Sequence, residues 1–405
     1  MMHNQLVREY PYNKSPYTHE EMLKIFQVKA KAIIKFLEEE KPDFIFISVI
    51  GSIGAMLLYY ICKSKGIKTI MVQTAMIKNT FILSEDFRNF SWVNEIFQKN
   101  EKLLSDQWTE ASKKFLNDFR NAPHPHWEYG DPRRQPITRL QQFEFLKPKK
   151  LFNILQWLGN YFLEHYKQKN RFDYDYIGPW NYLKDSFKRK LRNIIRTNNL
   201  YDTFDPSENF AYFPLHYEPE IAVSLLAPFT TDQIDVIKHI AISLPVGYRL
   251  YVKEHPAMVV YRPRSYYLEL KNIPNLKLIN PQISNFKIIP FTKLITTISG
   301  TTGWEGCLLK KPIITFGHIF YNSLSFVKNC RSMEQLPYLV KEQLENFKYN
   351  EEELLHFIGI IIQDSANVNL LYLWEKESDM QKKKQGLEPL ADLLAKKLHL
   401  IPQNQ

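Results

Sequence analysis

The chain has 405 residues, of which 44% are hydrophobic, and its formal net charge is +10 at pH 7. This length exceeds the usual size of a single core, so we expect two domains, and the hydrophobic fraction excludes a chain without a packed core. The positive charge favours anionic partners, which include nucleotide phosphates, anionic lipids, acidic glycans and nucleic acid.

The three cysteines, Cys62, Cys307 and Cys330, form no CxxC pair. Neither a disulfide framework nor a zinc site is therefore expected, and a cytoplasmic location is the default. The first ten residues, MMHNQLVREY, lack the apolar segment of a secretory signal.

The N-terminal part alternates between helical and strand patterns. The uncharged run from Phe44 to Cys62 is about long enough to cross a bilayer. Its β-branched beginning and the turn at Gly51–Gly54 favour a strand, a tight turn and a helix instead. We expect an abbreviated α/β domain with a parallel sheet, built from a helix over 20–40, a strand over 43–49, a helix from Ser52 and a strand over 68–72.

The region from residue 90 to 200 is helical and aromatic in pattern. Its stretch WNYLKDSFKRKLRNIIRTNNL is a basic amphipathic helix, with positive charges at Lys184, Lys188, Arg189, Lys190, Arg192 and Arg196. Such a helix can lie on an anionic membrane, or it can be a packed helix with a solvated face. Both interpretations stay open.

After the linker TFDPSEN, strands and helices alternate in the order of a parallel sheet with helices on both faces. We predict strands over 210–215, 248–253, 276–279, 293–298 and 312–316, and helices over 231–243, 264–270 and 302–309. The predicted domains are 1–205, an abbreviated α/β domain with a helical insertion; 206–330, a ligand-binding Rossmann-like domain; and 331–405, the C-terminal helices.

Ligands of open parallel sheets bind beyond the carboxyl ends of the strands. Polar side chains follow four predicted strands of the second half. They are His216, Tyr217, Glu218 and Glu220; Glu254 and His255; Ser299, Gly300, Thr301 and Thr302; and Gly317, His318 and Tyr321. We expect these loops to converge on one site.

The loop from Ser299 to Thr302 runs from a strand directly into a helix. Backbone N–H groups, hydroxyls and the positive end of the helix dipole then coincide, which predicts an anion site. The alternative is a capping box, in which Thr302 caps the helix and Glu305 only satisfies its N-terminus.

The strand ending in Lys253, Glu254 and His255 carries three titratable groups at its tip. His255 is predicted to donate a hydrogen bond to a phosphate oxygen of a nucleotide; alternatively, His255-Pro256 simply ends the strand. His216 and Glu218 are candidates either for acid/base chemistry or for orienting a ribose.

Two other groups of polar residues are expected to be structural. His124 and His126 alternate with prolines and have no carboxylate at metal-ligand spacing, and Asp173 and Asp175 lie in the helical middle region as an isolated acidic pair. No metal site is predicted.

The segments YFPLHYEPE, LYVKEHP and TTISGTTGWEGCLLKKPIITFGHIFYN together resemble bacterial capsule and surface polysaccharide biosynthesis proteins. The best-known members are glycosyltransferases of GT-B architecture that attach Kdo from CMP-Kdo to a lipid acceptor. The resemblance covers residues 210–322, and in the N-terminal half only strand order and FILSEDF fit. Sialyltransferases and polyol-phosphate transferases share the same motifs more loosely.

The resemblance implies that His255 contacts the donor phosphate and that Ser299, Thr301 and Thr302 hold the same phosphate or the nucleoside. It implies that Glu305 binds ribose hydroxyls. His216, Lys253 and Gly300 are further candidates for the donor site, because they are predicted at the same ends of the strands. The short N-terminal domain leaves the catalytic base unassigned, with Glu218, Asp86 and Glu85 as candidates.

The sequence thus predicts a metal-independent GT-B glycosyltransferase with two Rossmann-type domains, a nucleotide-sugar donor and a glycan or glycolipid acceptor. It is expected in the cytoplasm, with no cofactor, and contact with the inner face of the cell membrane stays open. The alternatives are a CDP-polyol phosphotransferase and a catalytically inactive, nucleotide-binding assembly factor. A nucleic-acid binder is disfavoured because no RNP, helix-turn-helix or zinc signature is present.

Overall fold

The computed structural model describes residues 17–48, 50–77, 79–99, 106–125, 140–167, 178–195, 197–218 and 221–400. The chain forms two compact units. The first contains Met1–Lys24 and Asp131–Ile298, and the second contains Ile25–Gly130 and Ser299–Gln405. The expected domain boundaries after residues 205 and 330 stay predictions.

The N-terminal elements confirm the strand-turn-helix interpretation of the apolar run. Ser52 caps the second helix, since its hydroxyl accepts a hydrogen bond from the N–H of Ala55 at 3.1 Å. Within the described ranges, no helix is both long and apolar enough to cross a bilayer. The elements are α1, His19–Glu40; β1, Phe44–Ile47; α2, Ile53–Ser64; β2, Lys68–Thr74; β3, Thr80–Ser84; α3, Ser91–Lys99; and α4, Asp106–Asn121.

The sheet of the second unit corrects one prediction. Its order is β1-β2-β3-β10, where β10 is Ser365–Asn367, and only β1 and β2 are parallel. Strand β3 is antiparallel to both of its neighbours. The physical reason is the short turn between β2 and β3, with positive φ at Met76 and Asn79, because a parallel crossover needs about a dozen residues.

The first unit holds the sheet that the sequence predicted best. Its strands are β4, Phe210–Pro214; β5, Arg249–Lys253; β6, Leu276–Ile279; and β7, Leu294–Thr297. All three pairings in the order β6-β5-β4-β7 are parallel. The centre of β4, Phe210–Phe213, is completely buried, as expected of a strand covered on both faces.

Helices complete the first unit. They are α5, Pro148–Lys167; α6, Pro179–Ile195; α7, Ile221–Ser224; α8, Gln233–Ser243; α9, Arg264–Lys271; and α10, Asn285–Ile288, with short 3₁₀ turns at Gln141–Leu146, Asn198–Leu200 and Pro256–Met258. The predicted helices over 231–243 and 264–270 are confirmed as α8 and α9.

The C-terminal elements belong to the second unit. They are α11, Thr301–Leu308; β8, Ile313–Thr315; β9, Val327–Asn329; α12, Leu336–Glu345; α13, Glu351–Gln363; α14, Leu370–Glu375; and α15, Met380–Lys397, with 3₁₀ turns at Phe320–Ser323 and Met333–Gln335. Strands β8 and β9 pair with each other in parallel. The α/β fold class is confirmed, with two sheets and the predicted C-terminal helices.

Candidate functional site

The carboxyl edge of the first unit's sheet brings several predicted residues together. Strands β4 and β5 are parallel and adjacent. The loops that follow them therefore leave the sheet at the same edge. These loops carry His216, Tyr217 and Glu218 after β4, and Glu254 and His255 after β5.

One arginine, Arg262, joins the two loops. Its side chain is 1% exposed, and it forms an ion pair with Glu254. Its Nη2 also donates to the carbonyl oxygen of His216 at 2.7 Å and lies 3.1 Å from Oε2 of Glu218. A single buried guanidinium thus fixes the loop after β4 against the loop after β5.

Glu254 faces the interior, which answers why an apolar strand ends in charged residues. It is fully buried, and besides Arg262 it accepts hydrogen bonds from Tyr267 Oη at 2.9 Å and from the N–H of His255 at 2.6 Å. Burial, followed by the charge of Glu254, raises the pKa of Tyr267 well above its usual range, so the hydroxyl stays protonated and donates. A buried carboxylate needs this number of partners.

Gln233, at the first turn of α8, holds the loop after β4 from the other side. Its Oε1 accepts from the N–H of His216 at 2.8 Å, and its Nε2 donates to the carbonyl of His216 at 3.3 Å and to Glu218 Oε1 at 2.5 Å. Glu218 is therefore held by both Arg262 and Gln233, with 14% of its side chain exposed.

His216 is buried and neutral. Burial, with smaller contributions from the charges of Arg262 and His255, lowers the pKa of His216 to about 3. Its Nε2 lies 3.3 Å from Oγ1 of Thr297, at the end of β7. A neutral imidazole can orient a ligand by hydrogen bonding, but at pH 7 it brings no positive charge to a phosphate.

His255 lies at the rim of this edge and is half-buried. Its ring stands edge-on to that of Tyr217, with the centroids 5.9 Å apart. Its carbonyl accepts from the N–H of Met258 at 2.8 Å, which closes the 3₁₀ turn after β5. The backbone of His255 is thus fixed on both sides.

Lys253, by contrast, is buried and already engaged within the protein. Its Nζ donates to the carbonyl oxygen of Ile283 at 3.0 Å, in the loop that follows β6. This bond ties the end of β5 to the loop that follows β6. The predicted donor contact of Lys253 stays a prediction.

The Ser/Thr-rich loop begins the second unit, and its structure corrects the capping-box alternative. The N-cap of α11 is Gly300, which provides no side-chain acceptor, and Thr302 lies inside the helix. Thr302 therefore does not cap the helix with Glu305 as its capping-box partner. Thr301 is exposed, whereas Ser299, Thr302 and Glu305 are buried.

The shape of this loop depends on a close approach to Tyr321. Tyr321 Oη donates to the carbonyl of Gly300 at 2.6 Å. A Cβ at Gly303 would lie 2.2 Å from the same hydroxyl oxygen. Only glycine leaves room for this hydrogen bond, which explains the glycine in TTGWEG.

The two acidic candidates of the second unit, Asp86 and Glu85, are both in ion pairs. Asp86 accepts from the backbone N–H of Arg88 at 2.9 Å and from its guanidinium at 2.6 Å. Burial would raise the pKa of Asp86, but the hydrogen bonds and charge of Arg88 outweigh it and lower the pKa. Glu85 pairs with Lys68 at 3.0 Å. A general base needs a pKa near the working pH, which Asp86 lacks.

Sequence reasoning did not anticipate Arg262, Gln233 and Tyr267. Arg262 follows the apolar run AMVVY and precedes a proline, and neither neighbour indicates a buried ion pair. Two predicted positions, His126 and Glu220, lie outside the described residues, as do Asp173 and Asp175.

The side chains that could bind a metal ion are dispersed in the described part of the chain. In the described part of the chain, no three His, Cys, Asp or Glu side chains cluster in a way that can hold a metal ion. The three cysteines are buried free thiols. Metal independence stays a prediction.

Residues 138–332 match the model of the capsule polysaccharide biosynthesis protein family. The match covers just under half of the 405 residues. It contains the first unit's entire sheet and the Ser/Thr-rich loop, so the resemblance read from the sequence is confirmed. Among curated protein sequences, no significant match was found.

Solved structures with low identity also match. Two are structures of KpsC from Thermosulfurimonas dismutans. The beta Kdo 2,4 transferase has 13% identity and a TM-score of 0.48, covering 80% of this chain and 81% of the other. The beta Kdo 2,7 transferase has 11% identity and a TM-score of 0.44, covering 89% of each chain. The UDP-GlcNAc 2-epimerase of Methanocaldococcus jannaschii has 16% identity and a TM-score of 0.30, covering 87% and 85%.

Proposed function

We propose that this capsule-synthesis protein is a glycosyltransferase that moves a sugar from a nucleotide-linked donor to a capsular polysaccharide or its lipid-linked precursor. The observation that carries the proposal is the carboxyl edge of the family-matched sheet. There, Arg262 and Gln233 hold the loops bearing His255 and Glu218 in fixed positions. Fixed positions for reacting groups are what transfer chemistry needs.

In the proposed site, His255 donates a hydrogen bond to the donor phosphate. In the second unit, Ser299, Thr301, Thr302 and the backbone N–H groups that begin α11 are suited to binding an anion, because the positive end of a helix dipole favours negative charge. Glu305 binds the ribose. His216, in its neutral form, positions the loop after β4, and Lys253 ties the end of β5 to the loop after β6.

The reaction requires the acceptor hydroxyl to attack the anomeric carbon while the bond between that carbon and the phosphate oxygen breaks. The nucleotide leaves with the bonding electron pair, and a carboxylate takes the proton of the hydroxyl. We assign that carboxylate to Glu218 rather than Asp86. Glu218 lies at the same sheet edge as His255, and the hydrogen bonds and charge of Arg88 keep the pKa of Asp86 low.

The resemblance noted in the sequence favours a CMP-linked acidic sugar of the Kdo type as the donor. We place the reaction at the inner face of the cell membrane, where a lipid-linked acceptor is present. No cofactor other than the donor substrate enters this proposal.

The test is release of free nucleotide from CMP-Kdo, CDP-glycerol and UDP-N-acetylglucosamine, measured by anion-exchange chromatography with a capsular glycolipid extract as acceptor. We expect CMP from CMP-Kdo, and a loss of about a hundredfold in turnover for Glu218→Gln. Asp86→Asn is the matched carboxylate control. Turnover of CDP-glycerol alone would indicate the phosphotransferase, and no turnover of any donor would indicate the assembly factor.

A further inference from the structure

Helix α6 shows an inverted pattern of burial. Its buried side chains are Pro179, Asp185 and Asn193. Its large apolar side chains are instead exposed, with fractions between 43% and 67% for Trp180, Phe187, Leu191, Ile194 and Ile195. A helix that packs only against protein buries its apolar side, so the sequence-based alternative of a solvated polar face does not describe α6.

Helix α5 has the same property. None of its residues is buried. Phe152, Leu155, Leu163 and Tyr166 are between 56% and 68% exposed. Their spacings of three, eight and three residues place them in one stripe along the helix, with Gly159 in the middle.

The two helices are held to each other and to the first unit through their other sides. Tyr182 of α6 packs edge-on against Trp157 of α5 at 5.3 Å. Arg192 donates to the carbonyl of Tyr261, and Asn193 donates to Gln142 at 3.1 Å. Polar contacts therefore attach α6 to the unit, while its apolar side chains point away from it.

The exposed apolar residues of both helices form a surface that we call the α5–α6 surface. The two helices also carry the exposed lysines Lys149, Lys167 and Lys184, whereas Arg189 and Arg192 contact Tyr261 of the first unit. Residues 140–167 and 178–195 contain nine Lys and Arg against three Asp and Glu. Two of those carboxylates pair within the region, Glu144 with Lys150 at 2.6 Å and Asp185 with Arg189 at 2.7 Å. A net excess of basic groups beside exposed Trp, Phe and Leu matches an anionic lipid surface.

We propose that the α5–α6 surface binds the anionic surface of a lipid bilayer, with its apolar side chains at the level of the headgroups. This inference rests on the proposed function for its biological sense, because a lipid-linked acceptor lies at that surface. The sequence-based hypothesis involved only the basic helix α6. The present proposal involves both helices, and it assigns part of the contact to the exposed apolar side chains of α5.

The test is flotation of the full chain with vesicles of equal parts phosphatidylglycerol and phosphatidylcholine, compared with pure phosphatidylcholine. We expect binding to the anionic vesicles that weakens as salt is raised. The double variants Leu155→Gln/Leu163→Gln and Phe187→Gln/Leu191→Gln should each lower the partition coefficient about tenfold or more. All four side chains are exposed, so folding should be retained, and circular dichroism checks this.

The matched control is Phe229→Gln/Val246→Gln, which removes two highly exposed apolar side chains outside these helices. Its vesicle binding should equal that of the unchanged protein. Unchanged binding by both α5 and α6 variants would overturn the inference. So would a concentration-dependent dimer that those variants dissolve, since the occupant would then be a second copy of the chain.

Nucleotide binding separates this inference from the proposed function. If the α5 and α6 variants lose vesicle binding but still bind nucleotide, the surface is assigned and the donor site is unaffected. If the unchanged protein binds nucleotide but not anionic vesicles, only the surface assignment fails. If it binds vesicles but no nucleotide, only the proposed function fails.

Discussion

Arg262 and Glu254 form an ion pair in which both side chains are completely shielded from solvent. Glu254 is the residue directly before His255, so the pair connects the core of the first unit to the predicted phosphate contact. Buried ion pairs often add little net stability, but removing one partner leaves an uncompensated charge. The pair is therefore best understood as a device that positions the loops after β4 and β5.

Replacing Arg262 alone should be severely destabilising. We expect Arg262→Met to lower the free energy of unfolding by about 3–5 kcal/mol, because Glu254 is left buried without its cation. The double variant Arg262→Met/Glu254→Gln should recover part of that loss. Urea denaturation of the single and double variants measures both values, and equal losses in the two would contradict the positioning account.

The free energy of unfolding should decrease as the pH falls, because His216 is buried in its neutral form. Because the pKa of folded His216 is lowered to about 3 from the ordinary histidine value of 6.5, the unfolded state binds the proton between these pH values and the folded state does not. Stability from this group is therefore complete above pH 6.5 and is lost as the pH falls, by about 1.4 kcal/mol per pH unit.

The measurement is urea denaturation of the unchanged protein and His216→Gln at pH 7 and pH 5. The difference in free energy of unfolding between the two proteins should shift by about 2 kcal/mol in favour of the variant at the lower pH. Parallel pH dependence in the two proteins would show that His216 is not buried in its neutral form.

Gly303 should not tolerate a methyl group. Its added Cβ would lie 2.2 Å from Tyr321 Oη and 2.6 Å from Cζ. We expect Gly303→Ala to lower the free energy of unfolding by about 1–3 kcal/mol, as overpacking does. Thermal or urea denaturation measures this change.

Gly159→Ala is the control, because Gly159 is also helical and nothing lies within 4 Å of its added Cβ. That change should stabilise the protein by up to about 1 kcal/mol through helix propensity. Similar effects of the two substitutions would mean that Tyr321 does not pack against Gly303 as described.

The sequence predicted the sheet of the first unit well because each of its strands is a short apolar run between helical segments. Strand β6 matches its predicted range, 276–279; β4 and β5 differ from theirs by one residue at one end, and β7 by one residue at each end. The antiparallel β3 was missed because its direction depends on the turn conformation at Met76 and Asn79, which periodicity does not report.

The site was only partly predictable. Strand order sufficed to place His216, Glu218 and His255 at one edge, since that edge follows from the topology alone. The partners of Glu254 were not predictable. Tyr267 reaches Glu254 from α9 and Arg262 reaches it from the segment before α9, and no local pattern specifies a tertiary ion pair. The exposure of α5 also depends on what the rest of the chain leaves uncovered.

The most direct test of the central claim is calorimetric titration of the purified chain with CMP, CDP, UDP and GDP, repeated on His255→Ala and on His239→Ala. His239, on α8, lies 3.8 Å from Asp235 and is a histidine of the same unit outside the proposed site. We predict selective binding of a cytidine nucleotide that weakens about tenfold or more, or about 1.4 kcal/mol, in His255→Ala and is unchanged in His239→Ala. Absence of nucleotide binding, or equal binding by His255→Ala, would contradict the donor-site assignment.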